Sequence, residues 1–145
     1  MLQNAFTVDV EDYFQVAALA PSIARESWST REYRCERNTD RILALLDRTG
    51  TKGTFFVLGW IAERSPALVQ RIAAAGHEVA SHGYFHQCVY DQSPEEFRDE
   101  TARAKHLLED LVGAAVLGYR AASFSITRRS LWALDVLLDL GFEYD

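Results

Sequence analysis

The sequence predicts an α/β fold built on a parallel sheet. Short apolar runs alternate with longer amphipathic stretches along the chain, and those stretches are long enough for the crossover helices that parallel neighbours require. Acidic, histidine and arginine residues also fall where the apolar runs end. The 145 residues suffice for one domain. A closed eight-stranded barrel takes about 200 residues or more, and only about five β/α units fit here. The choice is therefore between an open doubly wound sheet and an incomplete barrel.

Residues 5–9 are apolar and end in acids, as a buried strand does. A polar, arginine-rich stretch over 26–38 follows. Ile42, Leu43, Leu45 and Leu46 give residues 39–48 an apolar helical face, and Gly50 supplies the left-handed residue that ends such a helix. Residues 54–58 form a second strand. Ser65 and Pro66 stand as N-cap and first residue of a helix that runs to Ala75 and is closed by Gly76. A third strand occupies 77–81. Ser93, Pro94 and Glu96 make a capping box with proline at N1, opening a long helix that closes before Gly113. The fourth strand covers 116–120. Thr127 caps a helix rich in leucine and tryptophan up to Leu140, Gly141 follows it, and 142–145 open a fifth strand.

The composition, 48% hydrophobic and 25% charged, is that of a globular chain and excludes disorder and collagen-like structure. A net charge of −6 leaves no basic field for phosphate backbones or an anionic membrane, so nucleic acid is not an expected partner. No stretch approaches the roughly 18 apolar residues of a spanning helix. The first residues lack the charged and apolar regions of a secretory signal, so the expected location is the cytoplasm. Cys35 and Cys88 lie far apart, form no CxxC pair and are expected as ordinary thiols.

Functional groups in such folds gather where the strands end. Asp9, Glu11 and Asp12 follow strand one, His82 and His86 follow strand three, and Arg120 ends strand four. Three acids within four residues repel one another unless a cation compensates. Extended backbone puts Asp9 and Glu11 on one face, with Asp12 opposed or in the loop. Taken alone, the cluster reads as a solvated acidic loop or a helix cap. The HxxxH spacing of His82 and His86 sets two imidazoles on one side of a helical turn, which suits a divalent cation. It lacks the glutamate of HExxH, so a zincin protease is excluded. Arg120 by itself makes a plain salt bridge, whereas beside Asp9 it would aim that carboxylate. His77, at the opposite rim, and His106, within a charged helix, are left out of the site.

Together these residues resemble the polysaccharide deacetylase (NodB-homology) family, along nearly the whole chain. Thr7-Val8-Asp9-Val10-Glu11-Asp12 is similar to the family's first motif, usually TFDD. Ser81-His82-Gly83-Tyr84-Phe85-His86 resembles the second, H(S/T)xxH, and Gly118-Tyr119-Arg120-Ala121 the third, RxP. Residues 54–57 and 76–83 resemble the connecting strands, and VDVEDYF and GYRAASFSI look most like a branch associated with bacterial exopolysaccharide export loci. The resemblance implies a (β/α) barrel, incomplete here. It implies hydrolysis of acetamide groups on the N-acetylated sugars of a polysaccharide, and a divalent metal, zinc first, as cofactor. Residue by residue it makes Asp9 the general base, His82 and His86 metal ligands, and Glu11 or Asp12 the third ligand, with i,i+2 spacing favouring Glu11. Arg120 would orient Asp9.

The sequence departs from the family pattern in three ways. The usual adjacent aspartates are spread into DVED. Ala122 stands where related sequences carry the proline, which removes a local constraint. The later motifs, including the histidine that protonates the leaving amine, lie beyond Asp145, so residues 1–145 resemble the N-terminal portion of such a domain. Two other readings remain open. One is a cyclic amide or ureide hydrolase of the same fold. The other is an inactive fragment that binds sugar or a partner, its unfinished barrel edge a surface for self-association.

Overall fold

The computed structural model describes residues 4–145. Three parallel strands, β1 (Thr7–Val10), β2 (Thr54–Val57) and β3 (Glu78–Ser81), pair in the order β1-β2-β3 with Asp9 opposite Phe56 and Phe56 opposite Ala80. The expected fourth and fifth strands are each reduced to one parallel bridge, Ser81 to Tyr119 and Gly118 to Tyr144. Pairing at Tyr119 is brief because a 3-10 turn begins at Ala122. Each element joins the sheet beside its predecessor, with none of the order reversal of a doubly wound sheet, so the sheet is an arc of a (β/α) barrel.

Alternation along the strands sorts the side chains. Val10, Phe55, Val57 and Val79 point into the buried core, where they meet Leu46, Ile61, Leu68, Ile72, Phe97 and Leu108 of the surrounding helices. Thr7, Asp9 and Phe56 line the other face of the sheet, the inner face of the arc.

The helices are α1 (Cys35–Thr49), α2 (Gly59–Arg64), α3 (Pro66–Ala74), α4 (Pro94–Val112) and α5 (Trp132–Asp139). The capping box at Ser93 and Glu96 forms as expected, and Gly50 and Gly113 take left-handed conformations after α1 and α4. Three boundaries differ from the sequence reading. α1 begins four residues early, because its first N–H groups are met by Asp12, more than twenty residues upstream, and not by a local cap. Ser65 precedes Pro66 but does not cap α3; its hydroxyl donates to Glu36 and accepts from Tyr33. Thr127 starts a turn closed by Ser130, and α5 begins only at Trp132. Among the described residues no helix is long and apolar enough to cross a membrane.

Candidate metal centre and its acid–base partner

On the inner face Asp9 meets Arg120. The Nη1 of Arg120 lies 2.5 Å from Asp9 Oδ1, and its Nη2 donates to Thr7 Oγ1 at 3.1 Å. The guanidinium also lies over the Phe56 ring, 3.9 Å from its centroid. A carboxylate gripped by a planar cation that is itself seated on a ring has little orientational freedom. Arg120 and Asp9 therefore pair on the inner face. Thr7 was missed, although its parity with Asp9 on one strand is the signal that would have found it.

Past the end of β1, Glu11 meets the two histidines that follow β3. Glu11, His82 and His86 each offer one ligand atom, and these atoms lie within 4.8 Å of one another. His82 is 2% exposed, and its Nδ1–H donates to the Arg120 carbonyl at 2.7 Å, which leaves Nε2 as the free lone pair. Burial holds this imidazole below its ordinary pKa, against the opposing pull of that carbonyl and of the Asp9 and Glu11 carboxylates, so it is neutral at pH 7. His86 Nε2 lies 2.9 Å from Glu11 Oε2, at ion-pair distance but outside hydrogen-bond geometry. Glu11 Oε2 and His86 Nδ1 are both buried without a hydrogen-bond partner. Two imidazoles and a carboxylate with orphaned atoms fit a three-ligand site for a borderline divalent cation such as zinc.

The structure separates the acids after β1. Asp12 points away from this cluster into the protein, where it is 4% exposed and accepts backbone N–H groups of Tyr13, Arg34 and Cys35 at 2.9, 2.6 and 2.8 Å. The capping reading of the acidic cluster therefore holds for Asp12 alone. Burial pushes the neighbouring Cys35 thiol up to about 12, and Cys88 is likewise a free, buried thiol.

HxxxH does not form a helical turn, contrary to the expectation from its spacing. Residues 82–86 are an irregular loop with Gly83 at φ 75° and His86 at φ 56°, and these reversals bring the two rings to 5.0 Å between centroids. The loop is pinned from two sides. The first N–H groups of α2, on Gly59 and Trp60, donate to the carbonyls of Gly83 and Tyr84 at 2.9 and 3.1 Å. Gly59 permits this approach, since a Cβ there would fall 2.3 Å from the Tyr84 ring. From α4, Glu100 Oε1 accepts the N–H groups of Tyr84 and Phe85 at 2.9 and 2.8 Å. Neither α2 nor Glu100 entered the sequence reading, because one more acid in a charged helix carries no local mark.

His77 and His106 stay outside the site. His77 is buried at the opposite end of β3, where its Nδ1 accepts the Gly53 N–H at 3.2 Å, and His106 is exposed on α4. After Arg120, where the proline of the third motif is absent, Ser123 and Phe124 both adopt left-handed backbone, and Phe124 is 82% exposed.

Residues 25–144 match the sequence model described as Polysaccharide deacetylase. The chain belongs to the polysaccharide deacetylase family. It is 34% identical over 98 residues to a peptidoglycan-N-acetylglucosamine deacetylase of Bacillus cereus, covering 67% of this chain and 36% of that one. It is 31% identical over 99 residues to a chitooligosaccharide deacetylase of a Bradyrhizobium strain, covering 68% and 43%. A solved structure from Mycobacterium smegmatis, of a protein assigned to the polysaccharide deacetylases, superposes with a TM-score of 0.77 at 30% identity, covering 95% of this chain and 48% of that one. The chain thus spans well under half the length of these curated relatives, as expected of the portion of a deacetylase domain that carries its first three motifs.

Proposed function

We propose that the protein is a metal-dependent carbohydrate N-deacetylase that hydrolyses acetamide groups on N-acetylated sugars of a polysaccharide. The observation that carries this reading is the convergence of Glu11, His82 and His86 beside an Asp9 already held by Arg120. Family membership and the similarity to two N-acetyl-sugar deacetylases support it.

An amide is a poor electrophile, so its hydrolysis needs an activated water and a stabilised oxyanion. Glu11, His82 and His86 would hold a divalent cation, zinc in our reading, which supplies Lewis-acid polarisation of the acetamide carbonyl and makes the attacking water more acidic. Asp9 accepts the proton of that water, and the leaving amine takes its proton from the histidine that the family resemblance places in a later motif. Arg120 keeps the Asp9 carboxylate turned toward the site and keeps it from competing as a ligand. The Arg120 carbonyl fixes the His82 tautomer, and Glu100 fixes the loop that carries both histidines. The polymer is an exopolysaccharide in our reading, because the sequence resembles that branch, and the open edge at β1 is a surface through which copies would associate.

The test is acetate release from chitotetraose by a zinc-loaded protein that also carries the family's later motifs, whose histidine the resemblance makes the leaving-group acid. Activity abolished in Asp9→Asn with zinc content unchanged is the expected result. Turnover of five- and six-membered cyclic ureides without acetate release would replace this reading with the ring-hydrolase one.

A further inference from the structure

A cavity of about 390 Å³ lies between the long β1–α1 segment and the loop after β3, with His86 as one of its wall residues. It therefore borders the candidate metal centre. Its volume is that of a small-ligand pocket.

The walls are aromatic and rich in hydrogen-bond donors. Phe85 and Trp28 stand 6.4 Å apart between ring centroids, and the Arg25 guanidinium lies over both rings, 4.4 Å from the Phe85 centroid and 5.9 Å from that of Trp28. Stacking fixes the guanidinium plane and leaves its edge for recognition. Its one side-chain hydrogen bond runs to Gln87 Oε1 at 3.2 Å, and among the described residues no carboxylate pairs with it. Asp91 also lines the cavity but makes no ion pair with Arg25; Gln87 accepts from Arg25 and donates to the Asp91 backbone carbonyl at 3.3 Å. Two further lining residues, Gln15 and Trp28, are buried. An arginine seated on two rings without a carboxylate partner leaves its guanidinium edge for a negatively charged group of a ligand.

We infer that this cavity is a subsite for a carboxylate-bearing sugar, a uronic acid, next to the N-acetylated residue in the polymer, with Arg25 as the residue that reads its carboxylate. The inference rests on the deacetylase reading and adds to it a requirement on the substrate's second sugar. A bidentate guanidinium–carboxylate pair gives both the affinity and the orientation such a requirement needs.

Two tetrasaccharides separate the cases, titrated calorimetrically into the zinc-loaded protein at low salt. Hyaluronan tetrasaccharide alternates glucuronate with N-acetylglucosamine, and chitotetraose contains N-acetylglucosamine alone. The hyaluronan fragment should bind about tenfold more tightly or better, consistent with a charge-assisted contact, and the preference should shrink in high salt. Arg25→Gln should abolish the preference, with an unchanged melting transition showing that the variant is folded; Arg25→Lys should retain only part of the preference. Binding of chitotetraose without any preference overturns this inference and leaves the deacetylase reading standing. A preference that survives in Arg25→Gln overturns it too. If neither tetrasaccharide binds, both readings fall.

Discussion

Replacing Asp12 separates the two roles open to the acids after β1. Its carboxylate accepts three backbone N–H groups, one of them on the buried Cys35. Hydrogen bonds to a charged group contribute about 1.5–3 kcal/mol each. Because Oδ2 serves two of the three and the chain relaxes after truncation, Asp12→Ala should lose on the order of 4 kcal/mol, less than the full sum. That is a large share of the roughly 5–15 kcal/mol that holds a domain together. At about 3 °C per kcal/mol it lowers the melting temperature by on the order of 10 °C. Asp12→Asn keeps an oxygen for Arg34 and Cys35 but turns an N–H toward the Tyr13 amide, and should lose about 2 kcal/mol. Urea unfolding followed by tryptophan fluorescence reads the stability, and a zinc titration of folded Asp12→Asn reads the site. The variant should be less stable and bind zinc with unchanged affinity. Wild-type stability, or zinc affinity reduced as far as in Glu11→Gln, would refute the capping role.

Glu100→Ala frees two backbone N–H groups of the histidine loop and should weaken zinc binding about tenfold, with part of the loss restored in Glu100→Gln; a zinc titration checks it. Ser123→Gly relieves a left-handed conformation in a residue with a side chain and should raise the melting temperature by about 3 °C, corresponding to about 1 kcal/mol. A lower melting temperature would mean that the Ser123 side chain is needed where it is. Cys35, with its pKa pushed up by burial, should resist a disulfide reagent at pH 8 until the protein is denatured, and rapid labelling of the native protein would contradict that.

Much of the fold was legible because its signals are local. The box of Ser93 and Glu96, the glycines after α1 and α4, and the apolar runs of β1 to β3 depend on neighbours within a few residues. What sequence could not give depends on contacts made across the fold. The start of α1 is fixed by Asp12, and the brief fourth strand by a turn with two left-handed residues. The HxxxH spacing does bring His82 and His86 together, but on a loop and not on the helical turn that the spacing predicts. Spacing alone is consistent with a helical turn, whereas the left-handed Gly83 and His86 and the pins from α2 and Glu100 make a loop. The choice between Glu11 and Asp12 followed from parity on the strand, and the geometry places Glu11 with the histidines and Asp12 under α1. The Arg25 cavity left no mark in sequence, since an arginine in an arginine-rich stretch looks like solvated surface until its ring partners are seen.

A calorimetric zinc titration of the metal-free protein, run in parallel on Glu11→Gln, His82→Ala, His86→Ala and Asp9→Asn, bears most directly on the assignment of ligands and base. One zinc per chain is expected, with affinity reduced about tenfold or more by each of the first three substitutions and close to wild type in Asp9→Asn. Zinc binding lost as severely in Asp9→Asn as in His82→Ala would exchange the roles of base and ligand, and binding untouched by all three ligand substitutions would place the metal elsewhere.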